Sequence, residues 1–105
     1  MSPALDIDQR PFDGGVELIL DGELDITTVP QLREALRTLR DEGVERVRLD
    51  ISQLTFMDST GLRTLLGTSR QAEVEGWRLA LTHAPPHVQQ MFELTRTEGF
   101  LRFED

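Results

Sequence analysis

The hydrophobic period of this chain switches several times between two residues and roughly three to four. No other feature constrains the fold as tightly, because a stripe of one period cannot be buried by an element of the other. Residues 4–12 alternate weakly, with Leu5, Ile7 and Gln9 opposite Asp6, Asp8 and Arg10. Asp13-Gly14-Gly15 supplies residues that tolerate positive φ, and Val16 to Leu20 follows, ending at Asp21-Gly22. This reads as a hairpin of two strands. Val29, Leu32, Ala35, Leu36 and Leu39 then recur at helical spacing. Val47, Leu49 and Ile51 return to a period of two. Leu62, Leu65, Leu66, Ser69 and Ala72 predict a second helix, and Trp77, Leu79 and Leu81 another strand. Val88, Met91 and Phe92 predict a third helix ending near Thr95, and Phe100, Leu101 and Phe103 a last short strand.

The order is therefore β-β-α-β-α-β-α-β. Strand–helix–strand units imply right-handed crossovers and a mostly parallel sheet. The fold class expected is α/β: one domain over residues 1–105, with three main helices on a mixed, mostly parallel sheet of about five strands. Only the first strand should be antiparallel, because the hairpin fixes it. Local chemistry marks the boundaries. Thr27 or Thr28 is placed to cap the first helix, Pro30 sits in its first turn, and Gly43 ends it. The second helix should begin near Ser59 and close at Gly76, and Pro85-Pro86 opens the third. Trp77 reads as core or edge packing.

Charge narrows the partners. The net charge is −8, so nucleic acid and anionic membrane surfaces are poor partners, and a basic or mixed-charge protein suits better. There is no cysteine, which excludes disulfides, thiolate nucleophiles and cysteine-bound metal. No apolar run approaches a membrane span of about 20 residues. The start MSPALDIDQR is unlike a signal peptide, so a cytoplasmic location is expected.

The stretch Leu54-Thr-Phe-Met-Asp58-Ser59-Thr60-Gly61-Leu62 lies where a strand meets a helix. In parallel sheets such carboxyl ends are where sites gather. Asp58 or Ser59 makes a good N-cap, which accounts for one of them. Three capping-competent residues in a row exceed that need. Gly61 sits inside the first turn, where it costs about 1 kcal/mol relative to alanine unless a second backbone must come close. Ser59 as a nucleophile needs a base, and only His83 and His87 are available. Met57 stands where the first glycine of G-x-S-x-G belongs, so a hydrolase is not supported. Pro85-Pro86 separates the two histidines and no third ligand is evident, so no metal is expected. Neither phosphate-binding glycine loop occurs, and no cofactor is expected. Ser59 also suits a substrate's role, since a helix N-terminus accepts the charge of a phosphate.

Three stretches resemble the STAS domain, the family of sulphate transporters and anti-sigma-factor antagonists. They are Asp21-Gly22-Glu23-Leu24-Asp25, the run Leu49-Asp50-Ile51-Ser52-Gln53-Leu54 leading to Phe56-Met57-Asp58-Ser59-Thr60-Gly61-Leu62, and Phe92-Glu93-Leu94-Thr95 with Phe100-Leu101-Arg102-Phe103. The resemblance implies a free-standing bacterial anti-sigma factor antagonist rather than an enzyme. Such a protein binds an anti-sigma factor, usually a GHKL-type serine kinase, and so frees a sigma factor. The kinase phosphorylates the serine matching Ser59, binding is lost, and a metal-dependent serine phosphatase resets the protein. Asp58 matches the acidic residue beside the phosphosite, and Asp25 the loop near it. Thr60 stands where many members carry a second serine. The implied partner surface is Asp25, Asp58, Ser59, Thr60, Gly61 and Leu62, on a chain that is a monomer when free. Two alternatives stay open: a STAS subunit of a lipid-transport or stress-signalling complex, and, for Gly22-Glu23-Leu24-Asp25, a plain turn over a buried Leu24.

Overall fold

The computed structural model describes residues 4–104. The first three residues of the acidic start and the last residue of the expected domain fall outside them. The elements are β1 (Leu5–Phe12), β2 (Gly15–Leu24), α1 (Val29–Asp41), β3 (Arg46–Met57), α2 (Ser59–Glu75), β4 (Arg78–Leu81) and α3 (Pro86–Thr95). A single 3₁₀ turn covers Glu98–Phe100. The sheet runs β1-β2-β3-β4, with β1 antiparallel to β2 and both other pairs parallel. Both crossovers step the same way across the sheet, so right-handed connections set α1 and α2 side by side on one face. Leu18, Leu20, Leu49 and Ile51 point to that face and meet Leu32, Leu36, Leu39 and Leu65 in one apolar core. Phe92 of α3 is fully buried and packs edge-on against Phe103, 5.5 Å between centroids.

The opposite face of the sheet is polar. Arg10, Glu17 and Arg48 are cross-strand neighbours on β1, β2 and β3. Glu17 is only 1% exposed. Its carboxylate accepts from Arg10 at 2.6 Å and from Arg48 at 2.5 Å. The Phe12 ring lies beneath the guanidinium of Arg48, 4.0 Å from ring centre to Cζ.

Four boundaries differ from the sequence expectation. β2 does not end at Asp21-Gly22 but continues to Leu24. Gly22 adopts φ +124°, and a Cβ there would lie 2.2 Å from the Ala4 carbonyl oxygen, so the glycine bends the strand within register shifts instead of stopping it. β3 continues past Ile51 to Met57, because beyond Ile51 its buried residues, Leu54 and Met57, recur every third position. Thr28 occupies the N-cap position of α1 but its hydroxyl makes no capping bond; it donates to Glu23 O at 2.8 Å. The last segment is not a strand of its own. Glu98–Phe100 winds into the 3₁₀ turn, and among the described residues only Phe103 of this segment bridges to Leu81, leaving four strands there.

Candidate functional site

α2 begins immediately beyond the carboxyl end of β3, and Asp58 makes the joint. Its Oδ1 accepts from Gly61 N at 2.9 Å, which satisfies one of the orphan amides of the helix start. Its Oδ2 accepts from Ile26 N at 3.3 Å. Its own N–H donates to Leu24 O at 3.2 Å. One residue therefore caps α2 and ties it to the loop between β2 and α1.

Gly61 faces that loop. A Cβ at this position would sit 2.5 Å from Leu24 O and 2.8 Å from Met57 Cγ. The glycine is needed for a close backbone approach, and the backbone that approaches is the chain's own. Gly61 and Leu62 are both buried, so the structure places these two predicted site residues beneath the surface. Ser59 is exposed and Thr60 half-buried. Among the described residues no hydrogen bond ties down the Ser59 hydroxyl. Ser59 is the first residue of α2, so its Oγ lies at the positive end of the helix.

Asp25 builds the neighbouring loop. Its Oδ1 accepts from the Thr27 hydroxyl at 2.7 Å, Thr27 N at 2.9 Å and Thr28 N at 3.2 Å. The Thr27 hydroxyl is the main reason its carboxyl lies below the ordinary value; desolvation opposes it and the two amides reinforce it. These bonds hold the turn just before α1, whose first amides receive no side-chain cap. Asp25 thus shapes the loop whose next amide, Ile26 N, reaches Asp58.

Two residues of the site have no counterpart in the sequence expectation. Ile26 is 69% exposed and Phe56 46% exposed. Ile26 is held at Asp58 by its amide, and Phe56 precedes Met57 at the end of β3. Both are exposed apolar residues, one in the loop bonded to Asp58 and one three residues before Ser59. The signal for Phe56 is a phenylalanine outside the buried three-residue repeat of Leu54 and Met57. Of the two histidines, His87 is engaged by the Thr55 carbonyl at 2.8 Å, and His83 stacks on Phe103 at 5.2 Å. Among the described residues no group of His, Asp and Glu could hold a metal ion.

The family model described as Mlab, STAS domain matches residues 10–102 of this chain. The chain belongs to the STAS-domain family. It is 32% identical over 101 residues to an anti-sigma-B factor antagonist of Staphylococcus epidermidis, covering 96% of this chain and 94% of that protein. The corresponding antagonist of Staphylococcus aureus is 31% identical over the same length. Among solved structures, the anti-sigma factor antagonist SpoIIAA in its unphosphorylated form superposes with a TM-score of 0.76 at 25% identity, covering 95% of this chain and 89% of that one. An anti-sigma factor antagonist from Mycobacterium paratuberculosis shares the fold, with a TM-score of 0.82 at 22% identity over 94% of this chain and 84% of that one. These relatives are binding regulators, and this STAS protein is likewise not an enzyme. Among the described residues no helix is long and apolar enough to cross a membrane.

Proposed function

We propose that this STAS protein is an antagonist of an anti-sigma factor, switched by phosphorylation of Ser59. The observation that carries this reading is the exposed Ser59 hydroxyl at the first position of α2, beside the capping carboxylate of Asp58, which also holds the amide of the exposed Ile26. In the unmodified state this surface binds the anti-sigma factor and a sigma factor is released. A phosphate adds about −1.5 to −2 charges at that spot. The fold tolerates the charge at a helix N-terminus, whereas an apolar partner surface does not. The partner is a serine kinase of the GHKL type, the reset enzyme is a metal-dependent phosphatase, and the antagonist touches no nucleic acid itself. The near full-length likeness to anti-sigma-B factor antagonists supports the reading. So does the likeness to SpoIIAA in both forms, since its phosphorylated form also superposes, with a TM-score of 0.70 at 25% identity over 95% of this chain and 92% of that one.

The test is direct. Incubation with the cognate kinase and ATP, followed by mass spectrometry, should place the phosphate on Ser59. By titration calorimetry Ser59→Ala should retain partner affinity, and Ser59→Glu should lose part of it. Phosphate mainly on Thr60, or equal affinities for the wild type, the glutamate variant and the phosphoprotein, would overturn the proposal. Indifference at Ser59 would favour a STAS subunit of a lipid-transport or stress-signalling complex instead.

A further inference from the structure

We propose that the groove between α1 and α2 docks an acidic segment of a partner protein. The groove has a volume of about 640 Å³ and is open to solvent. α1 lines it with Arg33, Arg37 and Arg40, and α2 with Arg63. The floor on α2 is small: Thr64, Gly67 and Thr68. A Cβ on Gly67 would meet nothing within 4 Å, so the two helices leave the space unfilled.

Four arginines line one groove of a protein whose net charge is −8. Two of them, Arg33 and Arg63, have no ion-pair partner among the described residues. Arg37 has only an exposed contact to Glu34 at 3.3 Å. Arg40 forms the inner wall: its guanidinium lies 4.7 Å from the Trp77 ring centre, one nitrogen donates to Val44 O, and its buried Nε has no hydrogen-bond partner among the described residues. Of the two acidic groups on the rim, Glu75 is engaged by Gln71 and Trp77, at 3.0 and 2.9 Å. All eleven basic residues of the chain are arginine, and its planar fork binds carboxylates in pairs.

The same features choose the occupant. A nucleotide base needs an open aromatic face, and Trp77 is buried beneath Arg40. A long polyanion such as DNA would meet the repulsion of the whole molecule, whereas a short acidic helix or strand meets only the groove. This inference does not rest on the switch at Ser59. Its test uses unmodified protein and no kinase, so either reading can fail alone.

The probe is an amidated acidic peptide of alternating alanine and glutamate, titrated into ¹⁵N-labelled protein at about 50 mM salt. Amide shifts are expected along residues 33–41 and 63–75. Affinity should fall about tenfold or more when salt is raised to about 500 mM, or when glutamine replaces glutamate in the peptide. The same loss is expected in the double variant Arg33→Glu, Arg63→Glu. Both arginines are exposed and outside the apolar core, so the reversal spares the fold. Gly67→Leu fills the floor without altering charge and should lower affinity by a similar factor. No binding at millimolar peptide, shifts centred on another surface, or unchanged affinity in Gly67→Leu would overturn the proposal.

Discussion

Two glycines of α2 show how one residue type serves opposite ends. Gly61 is enclosed, with Leu24 O only 2.5 Å from where a Cβ would go, while Gly67 borders open space. Gly61→Ala must push the β2–α1 loop off α2, an overpacking cost of about 2 kcal/mol. Gly67→Ala only removes the glycine's backbone entropy and should stabilise by up to about 1 kcal/mol. Urea unfolding of the two variants is expected to move the midpoint in opposite directions; a shift of the same sign would refute the packing assigned to Gly61. Asp25 makes a separate prediction. Its folded-state carboxyl lies below the ordinary value of 3.8, chiefly through the Thr27 hydroxyl. A lowered carboxyl contributes stability at pH above its unfolded value, and the contribution is lost as pH falls through the folded one. Unfolding free energy should therefore drop in wild type as pH falls below about 4, and drop less steeply in Asp25→Asn, whose remaining oxygen still accepts from Thr27. Identical slopes in stepped-pH urea titrations would show that Asp25 is not linked to folding. The positions of Asp58 and Ser59 at a strand-to-helix joint were legible in the sequence, and the structure puts Asp58 at the cap and Ser59 in solvent. Their chemistry alone read first as capping, and the phosphosite reading rested on the family resemblance. Gly61 was legible as a close approach, but not what approaches it. The loop carbonyl at Leu24 lies more than thirty positions earlier in the sequence.

Among the elements, those with a full helical stripe were the most legible, because an apolar face repeating every 3.6 residues can be buried as a whole only by a helix. α1 and α2 start and stop within about two residues of their expected ends. β3 was legible only in its first half. β4 pairs with Arg46–Leu49 alone, so past that point β2 is the one strand paired with β3 among the described residues, and register shifts break the alternation. The final strand failed for a related reason: Phe100 is 72% exposed while Leu101 is buried, so an apolar cluster concealed a turn. The polar ladder across β1, β2 and β3 left no sequence signal, since Arg10, Glu17 and Arg48 look like ordinary outward charges. Their burial has a measurable consequence. Removing one cation from a buried carboxylate leaves charge without compensation, whereas removing both partners does not. Arg48→Met should destabilise by about 3 kcal/mol, discounted to about 2 because Arg10 still pairs with Glu17. Adding Glu17→Leu in that background should restore part of the loss. A double variant less stable than Arg48→Met would mean that Glu17 is not the strained partner.

At the scale of the whole molecule the proposed switch at Ser59 is expected to be separable from the fold. Ser59 is exposed and is not part of the buried core that holds Leu20, Leu49, Ile51 and Leu65. A phosphate on Ser59 sits where the α2 N-terminus favours an anion, typically by about 0.3–1 kcal/mol. Asp58 opposes it through like-charge repulsion of about the same order in solvent. The Asp58 carboxylate has both oxygens engaged, by Gly61 N and Ile26 N, so it is held in place and cannot swing away from the phosphate. The two effects nearly cancel. Phosphorylation is therefore expected to change the unfolding free energy by no more than about 1 kcal/mol, a few degrees in Tm for a domain of this size. Partner affinity should fall by far more than that equivalent of about fivefold, because in the complex the phosphate must also be desolvated against the partner's surface. Calorimetric melting of the two forms, beside titration of each with the partner, separates the cases. A phosphoprotein that melts about 15 °C lower would show that the cap at Asp58 gives way and that the partner reads local unfolding of α2. A melting temperature within a few degrees, with affinity lost, would place the switch on the surface, where one phosphate at a helix end decides whether two proteins meet.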